Sequence, residues 1–451
     1  MHSSRLVLAC SFVTLALLLV NPRHVAVSAA QDSHAERAPG LPFDCDTAPC
    51  DAIARGSHAF FDRRLPELAG NGRACADCHL SSDSFQLSPT DVEARFQNLM
   101  ARREVNPQAD DPLFKPIDAD DFRTNGDDAT DFSNLRQNGL IRIVFPLPPN
   151  MRLVDPATGR PSADTSADVW RMVPSINNVA LSGPDLGSPW FRPPNAFGGY
   201  QLDARVGTLQ EQAFGALVNH AAVQETPSAR LLDDLAAFEL VQFSSDRVRL
   251  LADAIRDGNT PPDADPPLNE LEQQGRVVFE RACTQCHGGP NQSTAQPPVP
   301  RFQDINTQCP HPVDTVVPAR WQFAPCPPRL ARNARTYEIM VDGVAQRRTS
   351  DDPGRALLTG FVGGPAARDD WNKLDVPQLR GIAKTAPYFH NNSAATLEEV
   401  VDHYIAFFKR LQAVTAPGAP PPPSASTDGV HFDRRPLPEE REALLAYLRT
   451  L

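Results

Sequence analysis

The seven residues RACADCH, 73–79, return in altered form as RACTQCH, 281–287. A Cys-x-x-Cys-His run supplies what a covalently attached c-type haem needs: two thiols for the porphyrin vinyl groups and an imidazole for the iron. Apolar residues at helical spacing approach the second run, as they do the first. We therefore predict two haem c groups, held by Cys75, Cys78 and His79, and by Cys283, Cys286 and His287.

Composition and charge narrow the class of protein. The 451 residues are 41% apolar and 22% charged, which is ordinary for a folded chain of two or three domains. The net charge of −12 argues against a nucleic-acid ligand, because such a ligand selects a basic face. The same charge fits a protein partner that carries a basic patch.

Residues 1–30 have the pattern of a secretory signal peptide. One Arg precedes an apolar run over residues 6–20, and Ser28, Ala29 and Ala30 form a small-residue cleavage site. The apolar run is short for a bilayer span, so a membrane anchor is the less favoured interpretation. No other segment is apolar enough to form a stable membrane span, and we expect a periplasmic or secreted protein.

Four cysteines remain outside the signal segment and the two motifs. An even remainder in an exported chain predicts local disulfides, with free thiols or a crossed pairing as the alternatives. The predicted pairs are Cys45 with Cys50 and Cys309 with Cys326.

The segment DGNTPPDADPP, residues 257–267, is rich in Pro and Asp and lacks an apolar period, which predicts a linker. It separates an N-terminal haem domain, residues 41–256, from a C-terminal haem domain, residues 268–451. Apolar residues recur at helical spacing over 208–219, 228–254, 396–411 and 438–451, whereas alternating strand patterns are scarce. We predict a mainly α fold of two cytochrome c-like haem domains with long ordered loops, related by internal duplication.

Beyond the two motifs, the sequence resembles the bacterial dihaem cytochrome c peroxidase family, which includes the MauG-like enzymes. The order and most of the spacing match. The runs that carry the resemblance are HAFFDRRLPELAGNGRACADCH, VPSINNVAL, RVGTLQEQAFGALVNHA, RVVFERACTQCHGG and VPQLRGIAKTAPYFHNNSAATLEEVVDHY.

This resemblance implies an enzyme that reduces hydrogen peroxide with electrons from a small redox protein, a cytochrome c or a cupredoxin. In the family the N-terminal haem is the peroxide site and the C-terminal haem is an electron relay. Two alternatives stay open: MauG-like or haem oxygenase-like oxidation of an organic or protein substrate with peroxide or dioxygen, and electron transfer without catalysis. Relatives are often dimers, which leaves a homodimer open.

The resemblance also implies a second ligand for the iron bound by His287. Other family members place a Met fourteen positions after the His of the PYFH run, and here that position is Tyr404. A tyrosinate oxygen resembles the MauG-like branch and would lower the haem potential by stabilising ferric iron. The alternatives are a packed aromatic at this position, with His390, His403 or the more distant Met340 as the ligand.

The first haem has no obvious second histidine, since residues 80–219 contain none. We therefore expect an iron whose second face is open or holds water, so that peroxide or dioxygen can reach it. The other candidates are Met100, Met151 and Met172, which are more often packing residues, and His58 and His220. The interval 80–173 is longer than in the family, which implies an insertion.

Peroxide cleavage needs a hydrogen-bond donor and a proton-transfer group. The family supplies a Gln, matched by Gln212, and a Glu ten positions later, where this chain has Ala222. Glu225 is the substitute that the sequence offers. The family Trp between the haems falls on Leu202, with Tyr200 or Trp190 as candidate electron stepping stones.

A calcium ion lies near the domain interface in this family. By position, Asn178 and the backbone carbonyls of Thr385 and Pro387 would hold it, and oxygen donors suit such a hard cation. The alternative is that these residues only shape two tight turns.

Overall fold

The computed structural model describes residues 48–65, 67–118, 132–182, 199–293, 301–309, 326–363, 368–415 and 435–451. The predicted signal peptide, Cys45 and Trp190 lie outside these residues. Within them the α-helices are α1 (Ala48–Phe61), α2 (Pro89–Val105), α3 (Ser133–Asn138), α4 (Leu209–Asn219), α5 (Ala229–Glu239), α6 (Asp246–Arg256), α7 (Glu270–Ala282), α8 (Pro328–Ala331), α9 (Ala356–Thr359), α10 (Leu397–Thr415) and α11 (Arg441–Leu448). The strands are β1 (Leu140–Pro146), β2 (Met151–Leu153), β3 (Ser166–Met172), β4 (Phe302–Gln303), β5 (Arg335–Val341), β6 (Val344–Ser350) and β7 (Leu374–Asp375).

Each segment with a helical apolar period contains a helix. The segments 208–219, 396–411 and 438–451 hold α4, α10 and α11. The prediction of one helix over 228–254 is wrong, since this segment is divided into α5 and α6. A new helix begins there because the Ser245 side chain accepts a hydrogen bond from the backbone N–H of Val248.

In the N-terminal half, α1 packs closely against α5. The contact is centred on Gly56, where an added Cβ atom would overlap the backbone carbonyl of Asp234. One turn further along each helix, the rings of Phe60 and Phe238 lie 5.0 Å apart. The glycine therefore lets two helix backbones approach more closely than any side chain would permit.

The C-terminal half repeats this helix pair with α7 and α11. A Cβ atom at Gly275 would overlap the backbone carbonyl of Ala443, and the rings of Phe279 and Tyr447 lie 5.3 Å apart. The spacing from glycine to aromatic residue is the same as in the first pair. Two copies of one helix pair, each next to a Cys-x-x-Cys-His run, are the structural counterpart of the predicted duplication.

A second repeated unit is a turn followed by a helix, in which each residue of the second copy is numbered 188 higher than its match. Tyr200 forms a bridge with Val206, and Tyr388 forms the same bridge with Ala394. The backbone repeats in detail, since φ is 70° at Gln201 and 69° at Phe389.

The helix that follows this turn is capped in the same way in both copies. The Thr208 hydroxyl accepts a hydrogen bond from Glu211 N at 3.1 Å, and the Thr396 hydroxyl accepts one from Glu399 N at 3.3 Å. Each of these glutamates reaches back to a backbone N–H four residues earlier. Because both helices begin with the same cap, each residue of α4 can be matched with the residue of α10 that lies equally far from the cap.

A β-layer is built from both halves of the chain. Strands β1 and β3 form an antiparallel ladder, while β2, from the predicted insertion, pairs with β5, which also pairs with β6. One hydrophobic cluster joins these strands and includes Phe145, Met151, Val169, Tyr337, Ile339 and Trp371. Helices still hold more of the described residues than strands do, but the expectation that strands are scarce is wrong for this layer.

The predicted linker, residues 257–267, contains no helix or strand and begins directly after α6 ends at Arg256. It is nevertheless anchored to the C-terminal half through Asp265, which is 9% exposed. The Asp265 carboxylate pairs with Arg380 and accepts a hydrogen bond from the Tyr447 hydroxyl at 2.8 Å. In the described part of the chain, no helix is long and apolar enough to cross a membrane.

Candidate haem-binding site

Each Cys-x-x-Cys-His run forms one helical turn. In the first run, the backbone N–H groups of Cys78 and His79 both donate to the carbonyl of Cys75, at 3.1 and 2.9 Å. The second run repeats this pattern, with 3.1 Å from Cys286 N and 2.8 Å from His287 N to the carbonyl of Cys283. Residues three and four apart share one face of such a turn, so both thiols and the imidazole can face one ligand.

The histidine rings are oriented as metal ligands. His79 Nδ1 lies 3.0 Å from the carbonyl oxygen of Phe85, and His287 Nδ1 lies 3.0 Å from that of Pro377. A carbonyl can only accept, so Nδ1 carries the proton in each ring and Nε2 keeps its lone pair. Burial lowers the pKa of both, to about 4 for His287, so the rings are neutral at pH 7, as iron ligation requires.

One continuous cavity of about 630 Å³ is lined by His79 and by Cys283, Cys286 and His287. Most of its lining is apolar, and Phe85, Ile176, Leu209, Phe279, Leu444 and Leu448 contribute to it. An apolar cavity with a correctly oriented imidazole at each motif fits a pair of covalently attached porphyrins. The residues present therefore fit haem: both imidazoles and the thiols of the second motif line the cavity, while Cys75 and Cys78 of the first motif are not part of its lining.

The cysteines of the motifs do not have the character of a reactive thiol pair. Burial raises the pKa of Cys75 and of Cys283 to about 12, and that of Cys286 to about 11. Catalytic and metal-binding cysteines have lowered pKa values instead. Without a bound metal, these thiols are therefore protonated at pH 7 and are not activated as a redox pair would be.

The structure brings two of the proposed second ligands of the His287 half to the cavity. Tyr404, on α10, lines it, and its hydroxyl has no hydrogen-bond partner among the described residues. Burial raises the pKa of Tyr404, so only an adjacent cation such as iron would ionise it at neutral pH. His390 also lines the cavity, with Nδ1 3.2 Å from the Thr307 hydroxyl.

The other two proposed ligands lie elsewhere. His403 is on α10 next to Tyr404, but its Nε2 is 2.7 Å from the carbonyl oxygen of Ile305, and the ring does not line the cavity. Met340 is on β5, is 45% exposed and is also absent from the lining.

The matched helix of the N-terminal half offers no such ligand. The shared cap pairs Tyr404 of α10 with Ala216 of α4, and a methyl group cannot bind iron. Neither His58 nor His220 lines the cavity. Of the three methionines in the interval, Met172 lines it, whereas Met100 is exposed and Met151 belongs to the β-layer.

Of the two predicted catalytic residues, Gln212 lines the cavity and Glu225 does not. Gln212 lies on α4, and its role as a peroxide-orienting donor stays a prediction. Glu225 is exposed, its backbone N–H donates to the carbonyl of Leu68, and its side chain does not reach the cavity. The structure therefore gives Glu225 no route to act on a bound peroxide.

Of the two carboxyl groups that line the cavity, Asp375 is paired with Arg301, and the other is Glu239, at the end of α5. It is 5% exposed, and burial raises its pKa to about 8. Sequence reasoning missed it because the segment 228–254 reads as an amphipathic helix. The available signal was a single carboxylate inside the apolar run LAAFELVQF.

Asn178 has the role of a turn-shaping residue. Its φ is 62°, its amide nitrogen donates to the carbonyl of Arg380 at 2.7 Å and to the Ser244 hydroxyl at 2.9 Å, and its amide oxygen accepts from Ser244 N. Thr385 and Pro387 line the cavity, but Asn178 does not. Among the described residues, no cluster of three His, Cys, Asp or Glu side chains could hold a metal ion. The calcium ion stays a prediction.

Cys309 and Cys326 are joined by a disulfide. The pairing of Cys45 with Cys50 involves a residue outside the described part of the chain. Tyr200 and Leu202 both line the cavity, and the role of Tyr200 as an electron stepping stone stays a prediction.

No protein-family model and no curated protein matches the chain. The solved structures that are similar to it include the following three. A MauG-like protein associated with microbial copper homeostasis has a TM-score of 0.40 at 19% identity, with 92% of each chain covered. The diheme peroxidase BthA from Burkholderia thailandensis has 0.42 at 17%, covering 89% of this chain and 86% of its own. Hydrazine synthase from Kuenenia stuttgartiensis has 0.39 at 14%, covering 100% and 99%. At this level of likeness the neighbours assign no activity to the chain.

Proposed function

We propose that the chain is an exported dihaem c-type oxidoreductase that reduces hydrogen peroxide with electrons from a small redox protein. In this proposal His79 and His287 are the iron ligands of two haem c groups, and bound haem supplies redox-active iron at each motif. The His79 half is the reaction centre and the His287 half is the electron relay.

The observation that carries the proposal is the difference between two matched helices. Where α10 presents Tyr404 to the cavity, α4 has Ala216 at the same position after the same cap. A chain built for electron transfer alone would be expected to present a second ligand in both halves. The asymmetry supports an accessible iron at His79 and a fully ligated iron at His287.

The residues of the chain have distinct roles in this proposal. The carbonyls of Phe85 and Pro377 hold the two imidazole rings by their Nδ1–H groups. Gln212 orients peroxide by hydrogen bonding, since it lines the cavity with His79. The apolar lining limits the access of water, which strengthens each polar contact inside.

The overall reaction joins one peroxide, two electrons from the donor protein and two protons to give two water molecules. The acidic chain suits a donor with a basic patch. Export is supported by the signal-like N-terminus and by the disulfide between Cys309 and Cys326, since disulfides persist in oxidising compartments.

One observation favours a second candidate, MauG-like oxidation of an organic or protein substrate. Ala222 occupies the position at which peroxidases of the family that this sequence resembles have a glutamate. In addition, Tyr404 lines the cavity as a candidate ligand in the His287 half. Peroxide turnover separates the two, because the second candidate predicts little turnover with a reduced cytochrome.

The test is electron paramagnetic resonance of the oxidised holoprotein, together with carbon monoxide titration of the reduced protein. We expect one high-spin and one low-spin haem, and one carbon monoxide bound per chain. Steady-state oxidation of a reduced cytochrome c by peroxide then measures the activity. Two low-spin haems without carbon monoxide binding would refute both catalytic functions and leave an electron carrier.

A further inference from the structure

Glu239 is a buried carboxyl group without a protein partner. It lies at the C-terminal end of α5, is 5% exposed and lines the cavity together with His79 and Gln212. Among the described residues, no side chain or backbone group forms a hydrogen bond or ion pair with its carboxyl oxygens. Burial of an unpartnered carboxyl group is costly, so its presence calls for a reason other than packing.

The internal repeat shows that packing does not require it. The two helix pairs match Gly56 with Gly275 and the carbonyl of Asp234 with that of Ala443. Continuing five residues along each second helix, the match of Glu239 is Leu448, which also lines the cavity and is 6% exposed. The same place in the same helix pair is therefore filled by leucine in the half that we propose as the electron relay.

We infer that Glu239 is the proton-transfer residue of the His79 half, in place of the carboxylate that the family resemblance expects at Ala222. This inference rests on the proposed peroxide reduction. It explains why this position of the repeated helix pair holds a carboxyl group at Glu239, in the half whose helix has Ala216, and leucine at Leu448 in the other half. It also explains why the group faces the cavity and not a partner in the protein.

The proton balance is simple. As the O–O bond of hydrogen peroxide breaks, Glu239 gives a proton to the departing oxygen, which leaves as water. The carboxylate regains a proton from the oxygen that stays behind. Two electrons from the donor protein and two protons from solvent then convert that oxygen to the second water. Glu239 ends each cycle protonated, as it began.

The surroundings leave Glu239 neutral at pH 7 and ready to donate. Burial raises its pKa to about 8, and no charged side chain opposes this shift. Of the charged groups on the neighbouring elements, Arg55 is bound to Asp234 and Glu211 to the backbone of Gly207. In the first motif, Asp77 is bound to Arg63 and Arg95. The remaining titratable groups are Asp51 and His58, exposed on α1, Cys50 on α1, His220 at the end of α4, Arg230 and Asp233, exposed on α5 itself, and Arg73, Cys75, Cys78 and His79 in the first motif.

The test compares the holoprotein with E239Q, E239D and E239L, and with D233N as a matched control on the exposed side of the same helix. Asp233 is exposed, and its carboxylate accepts from the Gln210 side chain. We expect E239Q and E239L to lower kcat for peroxide by about 100-fold or more, the usual contribution of a general acid–base group. E239D should retain more activity than E239Q, and D233N should match the wild type.

A second measurement does not depend on turnover. Infrared spectra of the holoprotein should contain a protonated carboxyl band that titrates near pH 8, is absent in E239Q and is retained in D233N. Carbon monoxide binding and the haem spectra should be unchanged in all variants, which shows that both haems are loaded.

The possible outcomes distinguish a failure of the proposed peroxide reduction from a failure of the proposed role of Glu239. A wild-type protein without peroxide turnover overturns the proposed function. A wild type that turns over peroxide, with E239Q equally active and the same pH profile, overturns the role of Glu239 alone. Loss of kcat in E239Q with intact haem spectra, and with D233N unaffected, supports it.

Discussion

Replacing Glu239 by leucine should stabilise the protein, and increasingly so as the pH rises. Burial raises the pKa of Glu239 from 4.5 to about 8. A raised folded-state pKa means that its contribution to stability is most favourable below pH 4.5 and is lost as the pH rises through about 8. Leucine has no proton to lose, and Leu448 shows that the helix pair accepts it.

The magnitude follows from the two pKa values by linkage. Ionisation linkage alone should make E239L more stable than the wild type by about 1 kcal/mol at pH 5, about 3 kcal/mol at pH 7 and about 5 kcal/mol at pH 9. The apolar side chain adds a gain that does not depend on pH.

Urea unfolding of wild type and E239L from pH 5 to pH 9 measures this difference, with D233N as the control for a charge lost at an exposed site. We expect the two stability curves to diverge with rising pH, while the D233N curve stays within about 0.5 kcal/mol of the wild type. Parallel curves for wild type and E239L would show that Glu239 has an ordinary pKa. In that case the reasoning about its burial would be wrong.

Three further predictions concern the repeat and the covalent link. Tyr404→Ala makes α10 resemble α4, so carbon monoxide bound to the reduced protein should rise from one to two per chain; a value that stays at one removes Tyr404 as a ligand. Gly275→Ala forces two helix backbones apart and should lower the free energy of unfolding by about 3 kcal/mol or more, whereas Gly215→Ala, with open space around its added Cβ, should be neutral or stabilising in the same urea titration. Replacing Cys309 and Cys326 together by alanine should cost about 3 kcal/mol, because their disulfide closes a loop with a sequence separation of 17; equal melting of this variant and the wild type in calorimetry would contradict this.

The parts of the site that the sequence predicts well are those set by local chemistry. The spacing within RACADCH and RACTQCH places two thiols and an imidazole on one helical turn, and the structure has that turn in both places. The family resemblance points to Tyr404 and Gln212; both line the cavity, while their roles as ligand and peroxide-orienting donor stay predictions.

What the sequence could not supply depends on contacts between distant segments. Glu225 is close to Ala222 along the chain, which is why the sequence suggests it as the substitute, but in the structure Glu225 is exposed to solvent. Glu239 reaches the cavity because α5 crosses α1 at Gly56, and that crossing is invisible in a single sequence. The strand β2 is three residues long, and only pairing with β5 makes it a strand.

The β-layer has a consequence for how the protein is made. Met151 pairs with Ile339, so β2 cannot pair with β5 until the ribosome has synthesised the intervening residues, which include the second Cys-x-x-Cys-His run. Until then its edge and the apolar residues around it are exposed, as in other chains with pairings distant in sequence. The two halves of the chain are therefore not independent modules, because cutting the chain within residues 257–267 would separate β2 from its partner β5.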